Sequence, residues 1–165
     1  MPCLKIVPES YVNSDALDCL VHKYIYPKSH TIGGLSVDPA HAAEQMKLVK
    51  QLWYKENGSQ LLHFILAFSP WESERIKSAG ELMPLAYDVC SCFADDYQIV
   101  FGIHCGRTGL WHIHFVVNSV SFTTGERLLR KNPIYLALKY HIQSCLPDGR
   151  SIPIYYNWVA QNLSV

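Results

Sequence analysis

The stretch Tyr97-Gln-Ile-Val-Phe-Gly-Ile-His-Cys-Gly-Arg-Thr-Gly-Leu-Trp-His-Ile-His-Phe-Val-Val-Asn118 constrains what this chain can fold into more than any other. It reads as two strands, 97–105 and 110–121, joined by a turn. On a strand, residues i and i+2 share a face, so Ile99, Phe101 and Ile103 form one apolar row and Ile113, Phe115 and Val117 a second. Both rows have to face the same core. That condition pairs 103 with 113 and 104 with 112, leaves Arg107-Thr108-Gly109 as a three-residue loop, and asks Gly109 for a positive φ. The opposite face then gathers His104, His112 and His114 on one patch, with Gly102 opposite His114 leaving room for a third body. Three neutral imidazoles on rigid strands make a facial tripod for a divalent cation, with positions left open to substrate or water. Asn118, further along the same face, is placed to orient a ligand.

The rest of the chain alternates short apolar runs with helical spacing. Cys3 to Val7, bounded by Pro8, predicts a first strand at a sheet edge, where proline is tolerated. Ser14 is a candidate cap for a helix in which Leu17, Leu20, Val21 and Tyr24 share one face, ending near Pro27. Lys28 to Val37, with Gly33-Gly34 at its centre, reads as a loop. Asp38 and Pro39 open a helix through Ala42, Met46, Val49 and Trp53 that stops at Gly58. Leu61 to Phe68 is a buried strand with Phe64 and Leu66 on one face and His63, Ile65 and Ala67 on the other. Apolar spacing from Glu72 to Asp95 predicts a helix kinked or divided at Pro84, and Asn132-Pro133 opens a last helix through Leu138, Ile142 and Cys145. Ile152 to Val165 has no single reading. A hairpin among interspersed helices, without regular βαβ alternation, points to an α+β fold with a central antiparallel sheet flanked by helices. At 165 residues the expectation is a single domain over 1–165.

Charge enters only locally. Fourteen Lys and Arg balance fourteen Asp and Glu, so no whole-molecule field draws an anionic partner. Residues 101–150, however, carry six basic side chains (Arg107, Arg127, Arg130, Lys131, Lys139, Arg150) against two acidic ones, Glu126 and Asp148. Hydrophobic residues at 49% with only 17% charged exclude a disordered chain. The six cysteines form no C-x-x-C pair and the first residues lack a secretory apolar run, so reduced thiols and a cytoplasmic location are expected. No run approaches the roughly 18 apolar residues of a membrane span.

His104-x7-His112-Ile-His114-x3-Asn118, followed by Ser-Val-Ser-Phe-Thr-Thr-Gly125, resembles the relaxase/mobilisation nuclease family of the HUH endonuclease superfamily. Leu62-His-Phe-Ile-Leu-Ala-Phe-Ser-Pro-Trp-Glu72 is similar to that family's H-x-I-x-S-F-x-P-x-E strand, and Ala16 to Pro27 resembles its N-terminal helix bearing the catalytic tyrosine. The resemblance implies a MobA-like plasmid mobilisation domain with an HUH relaxase-like fold, a bacterial protein of conjugation. It implies that His104, His112 and His114 hold Mg²⁺ or Mn²⁺, with Zn²⁺ as the alternative ion, against a phosphate of single-stranded DNA at an origin-of-transfer nic site. Tyr24 would attack phosphorus to give a 5′-phosphotyrosyl enzyme, with Tyr26 and His22 as competing nucleophiles. Arg107, Arg127, Arg130, Lys131 and Asn118 are the candidate DNA contacts, and accessory relaxosome proteins the implied partners.

Three positions depart from the family pattern. Gly106 stands where the family places Asp beside the first histidine, Ala67 replaces its Ser, and Tyr26-Pro-Lys-Ser-His30 is a poor copy of N-P-E-K-T. Three other readings stay open on the residues: a DNA-binding relaxosome module without strand transfer, an HUH-type replication initiator or transposase, and a hydrolase whose three-histidine site activates water.

Overall fold

The apolar rows of the hairpin are the centre of a larger sheet, and the helices divide between its two faces. The computed structural model describes residues 1–8, 10–128 and 132–156. In chain order the strands are β1 (Cys3–Ile6), β2 (Thr31–Leu35), β3 (Leu61–Ala67), β4 (Ile99–Cys105), β5 (Trp111–Asn118) and β6 (Ile154–Tyr155). Between them lie a π-helix (Asp18–Ile25) running into one turn of α-helix, α1 (Tyr26–Lys28), then α2 (Ala42–Leu52), α3 (Pro70–Ser73), α4 (Met83–Cys90) and α5 (Asn132–Cys145). The spatial order is β2-β4-β5-β3-β1-β6, antiparallel throughout except for the β1–β6 pair. The α+β architecture with helices flanking a central sheet is the expected one.

The β4–β5 register follows from matching the apolar rows: Ile103 pairs with Ile113, His104 with His112 and Gly102 with His114. Gly109 takes φ +77° in the turn, as a tight hairpin requires. One face of the sheet packs Phe64, Leu66, Phe101, Ile113 and Phe115 against Ala86 and Val89 of α4 and Leu138 and Ile142 of α5. The other packs Val100 and Val116 against Leu17, which precedes the π-helix, against Leu20, Val21 and Ile25 within it, and against Met46 of α2. The histidines lie on this second face. Complete burial of a large aliphatic or aromatic side chain stabilises by about 1.5–3 kcal/mol, so both layers hold the histidine strands in place.

Three segments differ from the sequence expectation, and a fourth, 72–95, is divided at Pro84 as expected. The Lys28–Val37 loop contains β2, an edge strand on β4, because a Cβ at Gly33 would collide with Phe101 and Tyr87; glycine there is a packing requirement and not a loop signal. β1 is not at the edge, since β6 adds to it in parallel through Leu4 and Lys5. α2 ends at Leu52, short of Gly58, and begins after a 3₁₀ turn, Pro39–His41, capped by the Asp38 side chain. Pro84 divides the 72–95 segment by sitting in the first turn of α4, where its missing N–H costs nothing.

Candidate metal centre

His104 comes from β4, and His112 and His114 from β5. One ring nitrogen from each lies within 4.8 Å of the other two. The ring centroids are 4.5 Å apart for His104 and His114 and 5.2 Å for each remaining pair. His114 is completely buried, and His104 and His112 are 5% and 6% exposed. Burial favours the uncharged ring in all three. It holds His114 well below the ordinary histidine value, lowers His104, and with the neighbouring His104 brings His112 down to about 4. Neutral imidazoles are the form that binds a metal ion.

The hydrogen bonds decide which nitrogens keep lone pairs. Carbonyls only accept, so His104 Nε2–H donates to Ile25 O (2.8 Å) and His112 Nδ1–H donates to Leu110 O (3.2 Å). His104 Nδ1 and His112 Nε2 therefore remain acceptors. His114 Nδ1 faces His63 Nε2 at 2.9 Å, and His114 Nε2, though buried, has no hydrogen-bond partner among the described residues. A buried polar atom left without a partner costs about 1–3 kcal/mol, so its position calls for an explanation. A cation held by three imidazoles supplies one, and the donor set fits a divalent transition ion.

A third layer closes the patch. A Cβ at Gly102 would collide with Ile25 and Ser29, so glycine there lets the π-helix and α1 settle onto the sheet and brings Ile25 O to His104. The π winding, in which Tyr26 N–H donates to Val21 O five residues back, buries Ile25 and turns Tyr24 to the rim. Its ring meets His114 edge-on at 6.1 Å, and Lys28 Nζ lies 4.3 Å from its centroid. Tyr24, Lys28, His104, Arg107 and His112 line one cleft of about 320 Å³. Tyr24 also borders a second cleft of about 700 Å³, on the side of Tyr11 and His63. Gly106 lies in the first cleft, and among the described residues no carboxylate lines it.

The other candidates sit elsewhere. Tyr26 donates its hydroxyl to Pro39 O at 2.8 Å, and burial, then Asp38, raises its pKa. His22 Nε2 accepts from Ala43 N at the start of α2. Asn118 lacks the exposure a DNA contact needs: it is fully buried, accepts from Lys50 Nζ, and donates to Met46 O and Gln98 Oε1. Arg127 directs its guanidinium at the carbonyls of Lys55, Asn57 and Ser59, tying down a loop away from the cleft. Arg130 and Lys131 lie outside the described residues. Sequence reasoning left three residues near this face without a role. His63 shares the histidine face of β3, a position already given by the strand's alternation once β3 is known to pair with β5. Tyr11 comes from an irregular segment and Lys28 ends the one-turn helix α1, and neither carries a periodic signal.

All six cysteines are unbridged, and among the described residues no helix is long and apolar enough to cross a membrane. The sequence model of the family described as relaxase, MobA/VirD2-like, nuclease domain matches residues 27–143, a stretch that holds all three histidines. Protein rlx of Staphylococcus aureus is 28% identical over 146 residues, covering 85% of this chain and 44% of that protein. The chain thus spans less than half the length of that relative. No solved structure matches.

Proposed function

This chain belongs to the MobA/VirD2-like relaxase nuclease family, and from that premise we propose that it nicks one strand of DNA at an origin of transfer of a plasmid or mobile element. Tyr24 is the nucleophile, and His104, His112 and His114 form the divalent-metal centre. The observation that carries this reading is the approach of the Tyr24 ring to His114 at the mouth of three converging neutral imidazoles.

The chemistry a bound Mg²⁺ or Mn²⁺ supplies there is neutralisation of charge on the non-bridging phosphate oxygens and polarisation of the scissile P–O bond. Lys28 and Arg107, on the walls of the same cleft, provide fixed positive charge for the flanking phosphates. The Tyr24 hydroxyl releases its proton to solvent as its oxygen bonds to phosphorus, and the bond to the 3′ oxygen of the preceding nucleotide breaks, that oxygen taking up a proton from solvent to leave as the 3′ hydroxyl. The phosphodiester is thereby exchanged for a phosphotyrosine of comparable energy, so the free 3′ hydroxyl can reverse the step and rejoin the strand. Tyr26 and His22 are less suited to this role because the hydroxyl of one and the Nε2 of the other are engaged by the 39–43 segment.

A randomised pool of single-stranded oligonucleotides tests this without knowledge of the target. With Mn²⁺ present, the protein should form an adduct that survives denaturing gels and disappears in Tyr24→Phe. A second reading, a DNA-binding module without strand transfer, is favoured by the missing carboxylate in the cleft. It is identified by binding from the same pool with no adduct.

A further inference from the structure

The three ligands are not held alike. His104 and His112 each donate to a backbone carbonyl, which fixes their free nitrogens by geometry alone. His114 faces another imidazole, whose nitrogens can take either part. His63 Nε2 lies 2.9 Å from His114 Nδ1, and His63 Nδ1 lies 2.9 Å from the Tyr11 hydroxyl. The two rings are close to coplanar, 24° apart, and His63 is itself 1% exposed.

Two imidazole nitrogens in contact share one proton, and its position has consequences at both ends. With the proton on His63 Nε2, His114 would carry its own on Nε2, where none of the described residues offers an acceptor. With the proton on His114 Nδ1, His63 carries its own on Nδ1 and donates it to the Tyr11 oxygen, so both ring N–H groups have acceptors and His114 Nε2 keeps a bare lone pair on a ring that meets those of His104 and His112. The second arrangement leaves neither ring with a buried N–H lacking an acceptor. Tyr11 reaches His63 from a left-handed backbone, φ +39°, which a non-glycine residue adopts only when its surroundings impose it; its carbonyl is held by Gln60 N at 2.9 Å.

We infer that Tyr11 and His63 form a positioning relay that sets the tautomer of His114, keeping its Nε2 lone pair directed into the three-histidine site. The inference rests on the metal-centre reading. It assigns His63, in the absence of a carboxylate at Gly106, the part that carboxylates and carbonyls commonly play behind a metal-bound histidine.

Nitrogen-15 NMR of histidine-labelled, metal-free protein reads the His114 tautomer directly, and Mn²⁺ titration followed by electron paramagnetic resonance reads affinity. Wild-type protein should show His114 protonated at Nδ1. His63→Leu, which keeps bulk but removes the acceptor, should lose that preference and bind Mn²⁺ about 10–100-fold more weakly. His63→Gln, whose side-chain oxygen restores an acceptor near the old Nε2, should recover most of the affinity, a rescue that simple filling of space does not produce. Tyr11→Phe, a change outside the sheet, should weaken binding by less than about 10-fold and is informative even if His63→Leu fails to fold. A wild-type His114 protonated at Nε2, or a folded His63→Leu that binds Mn²⁺ as tightly as wild type, overturns the relay alone. Absence of Mn²⁺ binding by the wild-type protein overturns the metal centre and the relay with it.

Discussion

Gly102 lies directly across the β4–β5 ladder from His114, and the space its missing side chain leaves is filled by Ile25 and Ser29. The same contact brings Ile25 O to His104 and presents Tyr24 at the cleft. One glycine therefore sets the distance between the strands that carry the three histidines and the helix that carries Tyr24. Gly102→Ala should cost about 1–3 kcal/mol of stability, as overpacking does, and should also weaken Mn²⁺ binding. Urea denaturation and metal titration on the same samples check it; an unchanged midpoint contradicts the packing.

The site's burial makes acid stability a readout of its histidines. His112 has a folded pKa of about 4 against 6.5 unfolded, so between those values the unfolded chain binds the extra proton and stability is lost as pH falls. By pH 5 the loss should be on the order of 2 kcal/mol in metal-free protein. His104 and His114, also lowered, act in the same direction. Denaturation midpoints of wild type and His112→Leu between pH 7.5 and 5 should converge; parallel curves contradict the shift.

Lys50 is buried beneath the sheet against Asn118, and burial first, then Arg127 and Lys47, lowers its pKa to about 7. The unfolded lysine keeps its proton up to about 10.5, so stability rises with pH above 7. A gain on the order of 1–2 kcal/mol is expected from pH 7 to 8.5. Lys50→Met should remove that slope, measured by denaturant titration at both pH values, while leaving Asn118 short of a donor.

The two arginines flanking the histidine strands should separate cleanly. Arg107 is exposed in the hairpin loop and lines the cleft. Its change to Ala should weaken binding to single-stranded DNA and reduce the salt slope of log affinity by about 0.7. Arg127 holds three loop carbonyls, so Arg127→Ala should cost about 1–3 kcal/mol of stability and leave the salt slope unchanged. The reverse pattern contradicts the placement of both.

Legibility of the sequence followed how far each residue's partner could be deduced from local pattern. The β4–β5 register and the clustering of His104, His112 and His114 were readable because two apolar rows on one hairpin admit a single alignment. β2 was not, because Gly33 and Gly34 signal a turn by composition, and only the position of Phe101 and Tyr87 shows that they make room for neighbours. The spacing of Leu17, Leu20, Val21 and Tyr24 assumed 3.6 residues per turn; the π winding gives the inward position to Ile25 and leaves Tyr24 at the rim. Asn118 shares the histidine face as the period of two requires, yet α2 covers that end of the sheet, a tertiary fact that no alternation encodes. His63 was visible on its strand, but its contact with His114 depends on which strand lies beside β3.

Whether His104, His112 and His114 form one divalent-cation site is read most directly from Mn²⁺ binding to wild-type protein and to the His112→Ala/His114→Ala variant, with circular dichroism confirming that both are folded. Wild-type protein should bind one Mn²⁺ per chain and the variant none. No binding by the wild type at millimolar Mn²⁺ with single-stranded DNA present, or equal binding by the folded variant, contradicts it.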